Sequence, residues 1–128
     1  MADPNYPDDL KYHAEHDWAR IDGDEATLGI TWYAQDTLGE VVFFTPPAVG
    51  ATLTKDEAYT EVESVKAVSD VVAPLSGEVI EVNGSLGDNP QTINEDPYGE
   101  GWLVRIRISN PTEADALMDA AAYVATLP

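Results

Sequence analysis

Short stretches of alternating apolar and polar residues dominate this chain and predict a mainly β structure. Residues 17–30 contain two such stretches, separated by an Asp22-Gly23 turn that suits a hairpin. Residues 104–108 form another, with branched aliphatic side chains on one face. The pattern predicts a half-buried antiparallel sheet with one face on a core.

Two segments carry helix signals. Thr31 suits the N-cap of a short helix over residues 32–38, and Gly39 would end it. Later, Asn110 is followed by a proline at the first helical position and by an acid at the third, which can reach back to the cap. Apolar residues then recur at helical spacing in residues 114–124. We therefore expect one continuous C-terminal helix lying on the β body.

The central segment predicts a hairpin with Lys66 at its tip. Residues 59–63 lead up to that lysine and residues 68–73 lead away from it; both are rich in β-branched residues and lack helical spacing. Residues 84–101 are rich in Gly, Pro and Asn. Such a stretch is too long for a plain connector, which favours a functional role.

Length and composition favour one folded domain. The 128 residues are 44% hydrophobic, enough for a modest core. Residues 1–10, with two prolines and three aspartates, are predicted to be a flexible acidic lead-in to a single domain at 11–128. No apolar run approaches the roughly 20 residues that span a bilayer, and the first residues lack a signal-peptide pattern. We expect a cytoplasmic protein, or a mitochondrial matrix protein if a eukaryotic transit peptide was removed.

Charge narrows the range of partners. Twenty-four acidic residues stand against six basic ones, for a net charge of −18. Such a surface repels nucleic acid and anionic lipid, so we expect neither nucleic acid nor membrane as a partner. It favours basic patches on other proteins, although solubility or adaptation to salt explains the acidity equally well. The absence of cysteine excludes disulfides, thiolate metal sites and a cysteine nucleophile.

Catalytic patterns are absent from the sequence. His13 and His16 are spaced for one helix face, but no third ligand follows at metal spacing, and a pair of surface histidines is the favoured interpretation. Phosphate-binding loops, dinucleotide fingerprints and nucleophile elbows are missing. We expect no enzyme, no catalytic residue and no metal.

Lys66 is the candidate site. It is one of three lysines, with Lys11 and Lys55, and the predicted turn would hold its amine away from the body. A lysine held in this way suits acylation by an enzyme that brings its own base. The alternative is an ordinary exposed lysine.

The segment around Lys66 resembles the lipoyl-attachment segment of glycine cleavage H proteins. The flanking residues that carry this resemblance are Glu63, Ser64, Val65, Ala67 and Asp70. Further segments resemble the same family in the same order, namely His16-Asp17-Trp18, Gly29-Ile30-Thr31 with Ala34-Gln35, and residues 38–43, 73–83 and 94–103. The likeness runs from about Tyr12 to Tyr123.

The resemblance implies a fold and a role. The fold would be a barrel-sandwich hybrid of the lipoyl/biotinyl-carrier (hammerhead) type, with a short helix after the second strand and a C-terminal helix. The cofactor would be lipoic acid in amide linkage to Lys66. The chain would carry the aminomethyl group of glycine in the glycine cleavage system, as a carrier and not as an enzyme.

The implied partners are four kinds of protein. The carrier would take the aminomethyl group from the pyridoxal-phosphate-dependent glycine decarboxylase (P protein) and give it to the tetrahydrofolate-dependent aminomethyltransferase (T protein). Its dithiol would be reoxidised by dihydrolipoyl dehydrogenase (L protein). A lipoate ligase or a lipoyl/octanoyl transferase would load Lys66.

The resemblance also implies a dock for the loaded arm. Asp17, Tyr33 and the start of the short helix correspond to the border of that cleft, but the family typically has Glu at the position of Asp17 and an acid at that of Trp32. Three alternatives stay open: a lipoyl or biotinyl domain of another complex, an H-like protein that mainly donates lipoyl groups, and an interaction module with unmodified Lys66. Methionines usually flank a biotinyl lysine, whereas Val65 and Ala67 flank this one.

Overall fold

A computed structural model describes residues 5–128 and shows a mainly β protein with short helices. The strands are β1 Lys11–His13, β2 Asp17–Asp22, β3 Glu25–Ile30, β4 Val41–Thr45, β5 Thr52–Leu53, β6 Ala58–Ser64, β7 Val68–Val72, β8 Gly77–Val82 and β9 Val104–Ile108. The α-helices are α1 Trp32–Leu38, α2 Thr92–Glu95 and α3 Ala120–Ala125, and 3-10 turns cover Gly84–Gly87 and Pro111–Ala116. None of the helices in this part of the chain has the length and apolarity to cross a bilayer.

The strands form two antiparallel sheets around one main core. The larger sheet has the order β1-β2-β3-β9-β8-β5, and the smaller has β4-β6-β7. Inward side chains of both sheets, such as Leu28, Val62 and Ile106, are fully buried together. Alternation at period two places these residues on the inner faces, as the sequence pattern predicts. The smaller sheet carries Lys66 between β6 and β7.

The predicted start and end of α1 are confirmed. The side chain of Thr31 accepts a hydrogen bond from the backbone N–H of Ala34 at 3.2 Å. Gly39 ends the helix at φ 87°, a left-handed conformation that favours glycine. Local signals are sufficient here because both ends of the helix are set within the segment.

The prediction of one continuous C-terminal helix is wrong. Leu117 is extended, at φ −82° and ψ 156°, and separates the 3-10 turn from α3. Met118 and Tyr12 exchange two backbone hydrogen bonds of 2.8 Å each, so this point of the chain joins the edge of β1. Glu113 does not reach back to Asn110, because its carboxylate accepts hydrogen bonds from the N–H and hydroxyl of Ser76. Contacts distant in sequence override the helix signal.

The predicted lead-in over residues 1–10 needs a correction. Residues 1–4 lie outside the described residues. Tyr6 and Leu10 are buried in a second cluster with Tyr12, Trp18 and Tyr123, because their apolar surface packs under α3. The packed body therefore includes Tyr6 and does not begin at residue 11.

Candidate functional site

Strands β6 and β7 form a hairpin around Lys66, the candidate attachment residue. We call it the attachment hairpin, and its turn is held by several hydrogen bonds. The N–H of Ser64 donates to the carbonyl of Ala67 at 2.7 Å. The hydroxyl of the buried Ser64 accepts from the N–H groups of Lys66 and Ala67 at 3.2 and 3.1 Å. Glu63 pairs with Val68 across the two strands. A small side chain with an acceptor oxygen thus fixes the turn from inside and leaves the tip exposed.

Lys66 itself is exposed, as the pattern predicts. Among the described residues it makes no ion pair. Its stem passes Gly39, where a Cβ would come within 3.4 Å of the Lys66 Cε. By contrast, the amine of Lys55 forms an ion pair with Asp56 at 3.0 Å. Lys66 therefore presents an accessible primary amine on a fixed support.

The long segment after β8 supports this tip. Asn94 donates to the carbonyl of Gly39 at 2.8 Å and accepts from the N–H of Val41 at the same distance. Glu40 follows Gly39 in the connection from α1 to β4. Its backbone carbonyl accepts a hydrogen bond from the N–H of Val65 at 3.1 Å. This segment thus supports the tip structurally, since Asn94 joins α2, the end of α1 and the start of β4, and a functional role for residues 84–101 stays a prediction.

A small cavity lies between α1 and the two sheets. Its volume is about 30 Å³, and it is lined by Glu15, His16, Asp17, Ile30, Ala34, Leu38, Val62, Ser69, Asp70 and Val71. The structure thus brings together Asp17 and Asp70, two residues singled out in the sequence. Space of this size holds one small polar group.

Asp17 is a buried acid without hydrogen-bond donors. Its residue is 1% exposed, and neither carboxylate oxygen has a hydrogen-bond partner. Burial raises the pKa of Asp17 to about 6, although the nearby His13 opposes that rise. His13 Nδ1 stands 3.4 Å from Oδ1, too far for a good hydrogen bond. A donor entering the cavity would satisfy these oxygens.

The expectation of a surface histidine pair is wrong for both residues. His13 is 8% exposed, and its Nε2 lies 2.7 Å from Asp56 Oδ1. The Asp17 carboxylate is the largest cause that raises the pKa of His13. His16 is half-buried, and burial lowers its pKa. Asp56 lies 43 residues away from His13, so nothing local in the sequence signals this pairing.

Tyr33 stands beside the cavity and does not line it. Its ring centroid is 4.6 Å from that of His16, which does line the cavity. His16 Nδ1 also lies 2.7 Å from the hydroxyl of Tyr123. Tyr33 would therefore act on the cavity only through His16. The structure shows no group of three or more potential metal-binding side chains in residues 5–128.

The family model and the similar proteins found by comparison agree on one family. The family model described as "Glycine cleavage H-protein" matches residues 10–128. A "Glycine cleavage system H protein" of Symbiobacterium thermophilum is 55% identical over 119 residues, which cover 93% of each chain. One of Myxococcus xanthus is 52% identical over 127 residues, covering 99% of this chain and 98% of the relative.

A solved structure agrees with these relatives. The crystal structure of a glycine cleavage system H protein from Mycobacterium marinum superposes with a TM-score of 0.82 at 40% identity. The match covers 93% of this chain and 96% of that one. The predicted fold class, a mainly β barrel-sandwich of the carrier type, is thereby confirmed.

Proposed function

This chain belongs to the glycine cleavage H-protein family, and on that premise we propose that it carries a lipoyl group on Lys66 for the glycine cleavage system. Its role there is that of a carrier component and not of a catalyst. The aminomethyl group of glycine would pass from the decarboxylase to the aminomethyltransferase by way of this carrier.

The exposure of Lys66 on a rigid hairpin is the observation that supports attachment there. Ser64 holds the turn, and the Lys66 amine has no ion pair among the described residues. An acylating enzyme can reach such an amine without unfolding the carrier. The fit is chemical as well, because a primary amine forms the amide and a fixed tip gives the arm a defined origin.

The lipoyl group, when bound, supplies the dithiolane that a chain without cysteine lacks. The partners that we propose are the decarboxylase, the aminomethyltransferase, dihydrolipoyl dehydrogenase and a lipoate ligase or lipoyl/octanoyl transferase. A tether raises the effective concentration of the arm at each active site without tight docking. A cytoplasmic location is part of the same proposal.

We propose that the cavity beside Asp17 receives the amine end of the loaded arm. The Asp17 oxygens are buried and lack donors, and Asp70 of the attachment hairpin lines the same space. An ammonium group would donate to Asp17 and gain a counter-charge there. We expect Asp17→Ala to shorten the time for which the loaded carrier retains its ammonia. An unchanged lifetime would remove Asp17 from this role.

The test of attachment is the intact mass of protein expressed with lipoate. We expect a lipoyl-sized gain in the wild type, none in Lys66→Arg, and the full gain in the matched control Lys55→Arg. A gain that persists in Lys66→Arg would contradict the proposed site. A biotin-sized gain would instead indicate a biotinyl domain.

A further inference from the structure

The exposed side of the small sheet carries an unusual share of apolar surface. Residues 5–128 have six exposed large hydrophobic side chains, and four of them lie in this sheet or at its tip: Val42, Phe43, Val65 and Val68. We call these four residues together with Glu63 the attachment face. The four hydrophobic side chains of this face have exposed fractions from 42% for Val42 to 69% for Val65. Isolated exposed hydrophobics are ordinary, but a cluster marks a contact surface.

The register of the sheet explains how the face is assembled. Phe43 of β4 lies opposite Glu63 of β6, and Glu63 lies opposite Val68 of β7. A bulge between Val41 and Phe43 turns two successive residues of β4 outward. The result is an apolar row with one carboxylate at its centre, next to Lys66.

Apolar side chains exposed on this sheet are unfavourable for the protein alone, and folding does not explain why they are there. β4 and β7 are the two outer strands of a three-stranded sheet. Exposed apolar residues on outer strands invite unwanted pairing, and natural proteins usually place charges there. Threonine in place of Val68 would have a similar preference for β-strands and would expose less apolar surface.

We propose that the attachment face is the docking surface for the enzyme that joins the acyl group to Lys66; this inference rests on the proposed function. The position of the face selects this occupant. An enzyme that acylates Lys66 must bring its catalytic centre to Nζ of the bare side chain and so must cover the neighbouring strands. Enzymes that act on the loaded arm react at its far end and can stand further away.

The chemistry of the face defines the partner surface. Phe43 and Val68 require apolar contacts, and Glu63 between them requires a cationic side chain once water is excluded. Glu61 and Asp70, paired in the next row, extend the negative potential. The partner surface is therefore an apolar recess beside an Arg or Lys, with a basic border.

The test uses apo-protein, a purified lipoate ligase, lipoate and ATP, with intact mass as the readout. We expect Phe43→Thr and Val68→Thr each to lower kcat/KM for attachment about tenfold, mostly through KM, because apolar anchors near an interface centre dominate affinity. Val49→Thr is the matched control, since Val49 is 66% exposed on a loop outside the sheet. Its kcat/KM should stay within about twofold of the wild type.

A second readout separates docking from chemistry. Lys66→Arg protein cannot be acylated but keeps the attachment face, so it should inhibit the reaction of wild-type protein competitively. Adding Phe43→Thr to that variant should raise its inhibition constant about tenfold. Thermal unfolding of each variant checks that the fold is retained.

The possible outcomes are distinguishable. If the wild type gains no lipoyl group, the proposed function fails and this inference fails with it. If the wild type is loaded and Phe43→Thr and Val68→Thr match Val49→Thr, the inference alone is overturned. The same holds if previously loaded variants are impaired only with glycine decarboxylase, because the face would then belong to that enzyme.

Discussion

At the scale of single residues, the buried carboxyl of Asp17 couples folding stability to pH. Its pKa of about 6 in the folded protein lies above the usual 3.8, so between these values the folded state holds a proton that the unfolded state releases. The contribution of Asp17 to stability therefore falls as pH rises from about 4 to 6, by about 3 kcal/mol. His13 acts in the same direction, since its pKa is raised: its stabilisation is complete below the unfolded pKa and is lost as pH rises through the folded one.

We therefore expect Asp17→Asn to flatten the dependence of the free energy of unfolding on pH between about 4 and 6. At pH 7.5 the variant should be more stable than the wild type by up to about 2 kcal/mol, less than the full electrostatic cost because the amide also lacks partners in the cavity. Urea titrations across this pH range measure both quantities. Asp22→Asn, exposed on the same strand, is the control, and equal pH slopes in the two variants would contradict the expectation.

The sequence predicts that Lys66 is exposed at a hairpin tip, as the structure shows, but places the histidines wrongly, and this difference has a physical reason. Ser64 and the flanking β-branched residues act within a few positions of Lys66, so the pattern predicts the turn. His13 is buried in the assembled fold and pairs with Asp56, which lies in a distant turn at φ 72°. Pairings of this kind depend on the assembled sheets and leave no periodic signal.

At the scale of elements, Asn94 is the junction that positions the attachment hairpin. It satisfies the N–H of Val41 and the carbonyl of Gly39, and its Nδ2 also donates to the side chain of Gln35 at 3.0 Å. The connection from Gly39 to β4 passes through Glu40, which holds the N–H of Val65. A change at Asn94 therefore reaches the tip of the hairpin through two hydrogen bonds.

We expect Asn94→Ala to lower the free energy of unfolding by about 2–4 kcal/mol, because it leaves backbone groups of β4 and α1 without partners. Urea unfolding measures the loss. Asn89→Ala is the control, since Asn89 is exposed and its side chain makes none of these bonds; it should change stability by no more than about 0.5 kcal/mol. A similar loss in both variants would show that the junction does not matter.

Elements are predictable where their limits are local. α1 has its cap and its terminating glycine in adjacent sequence, and β2 and β3 share one short turn. The C-terminal region has equally good helix signals, yet Met118 leaves the helical path to pair with Tyr12. β1 itself has three residues, too few for a periodic pattern, so neither partner of that pairing can be inferred from its own segment.

At the scale of the whole molecule, negative charge greatly exceeds its local compensation. The net charge is −18, and the described part of the chain contains four ion pairs, two of which involve His13. Most carboxylates therefore face water near other carboxylates. Their mutual repulsion opposes the compact state and is reduced by salt.

Salt should consequently act on stability and on docking with opposite signs. Raising NaCl from about 10 mM to about 0.5 M screens the repulsion, so the free energy of unfolding should increase by about 1–2 kcal/mol. Over the same range, kcat/KM for attachment to Lys66 should fall at least about tenfold, because screening removes the attraction between the acidic carrier and a basic partner surface. Glu61→Gln and Glu63→Gln should each reduce that salt dependence, whereas Asp22→Gln, on the other sheet, should not. A rate of attachment that is constant in salt, beside a stability that rises, would mean that the acidity serves solubility or salt adaptation and not the encounter with partners.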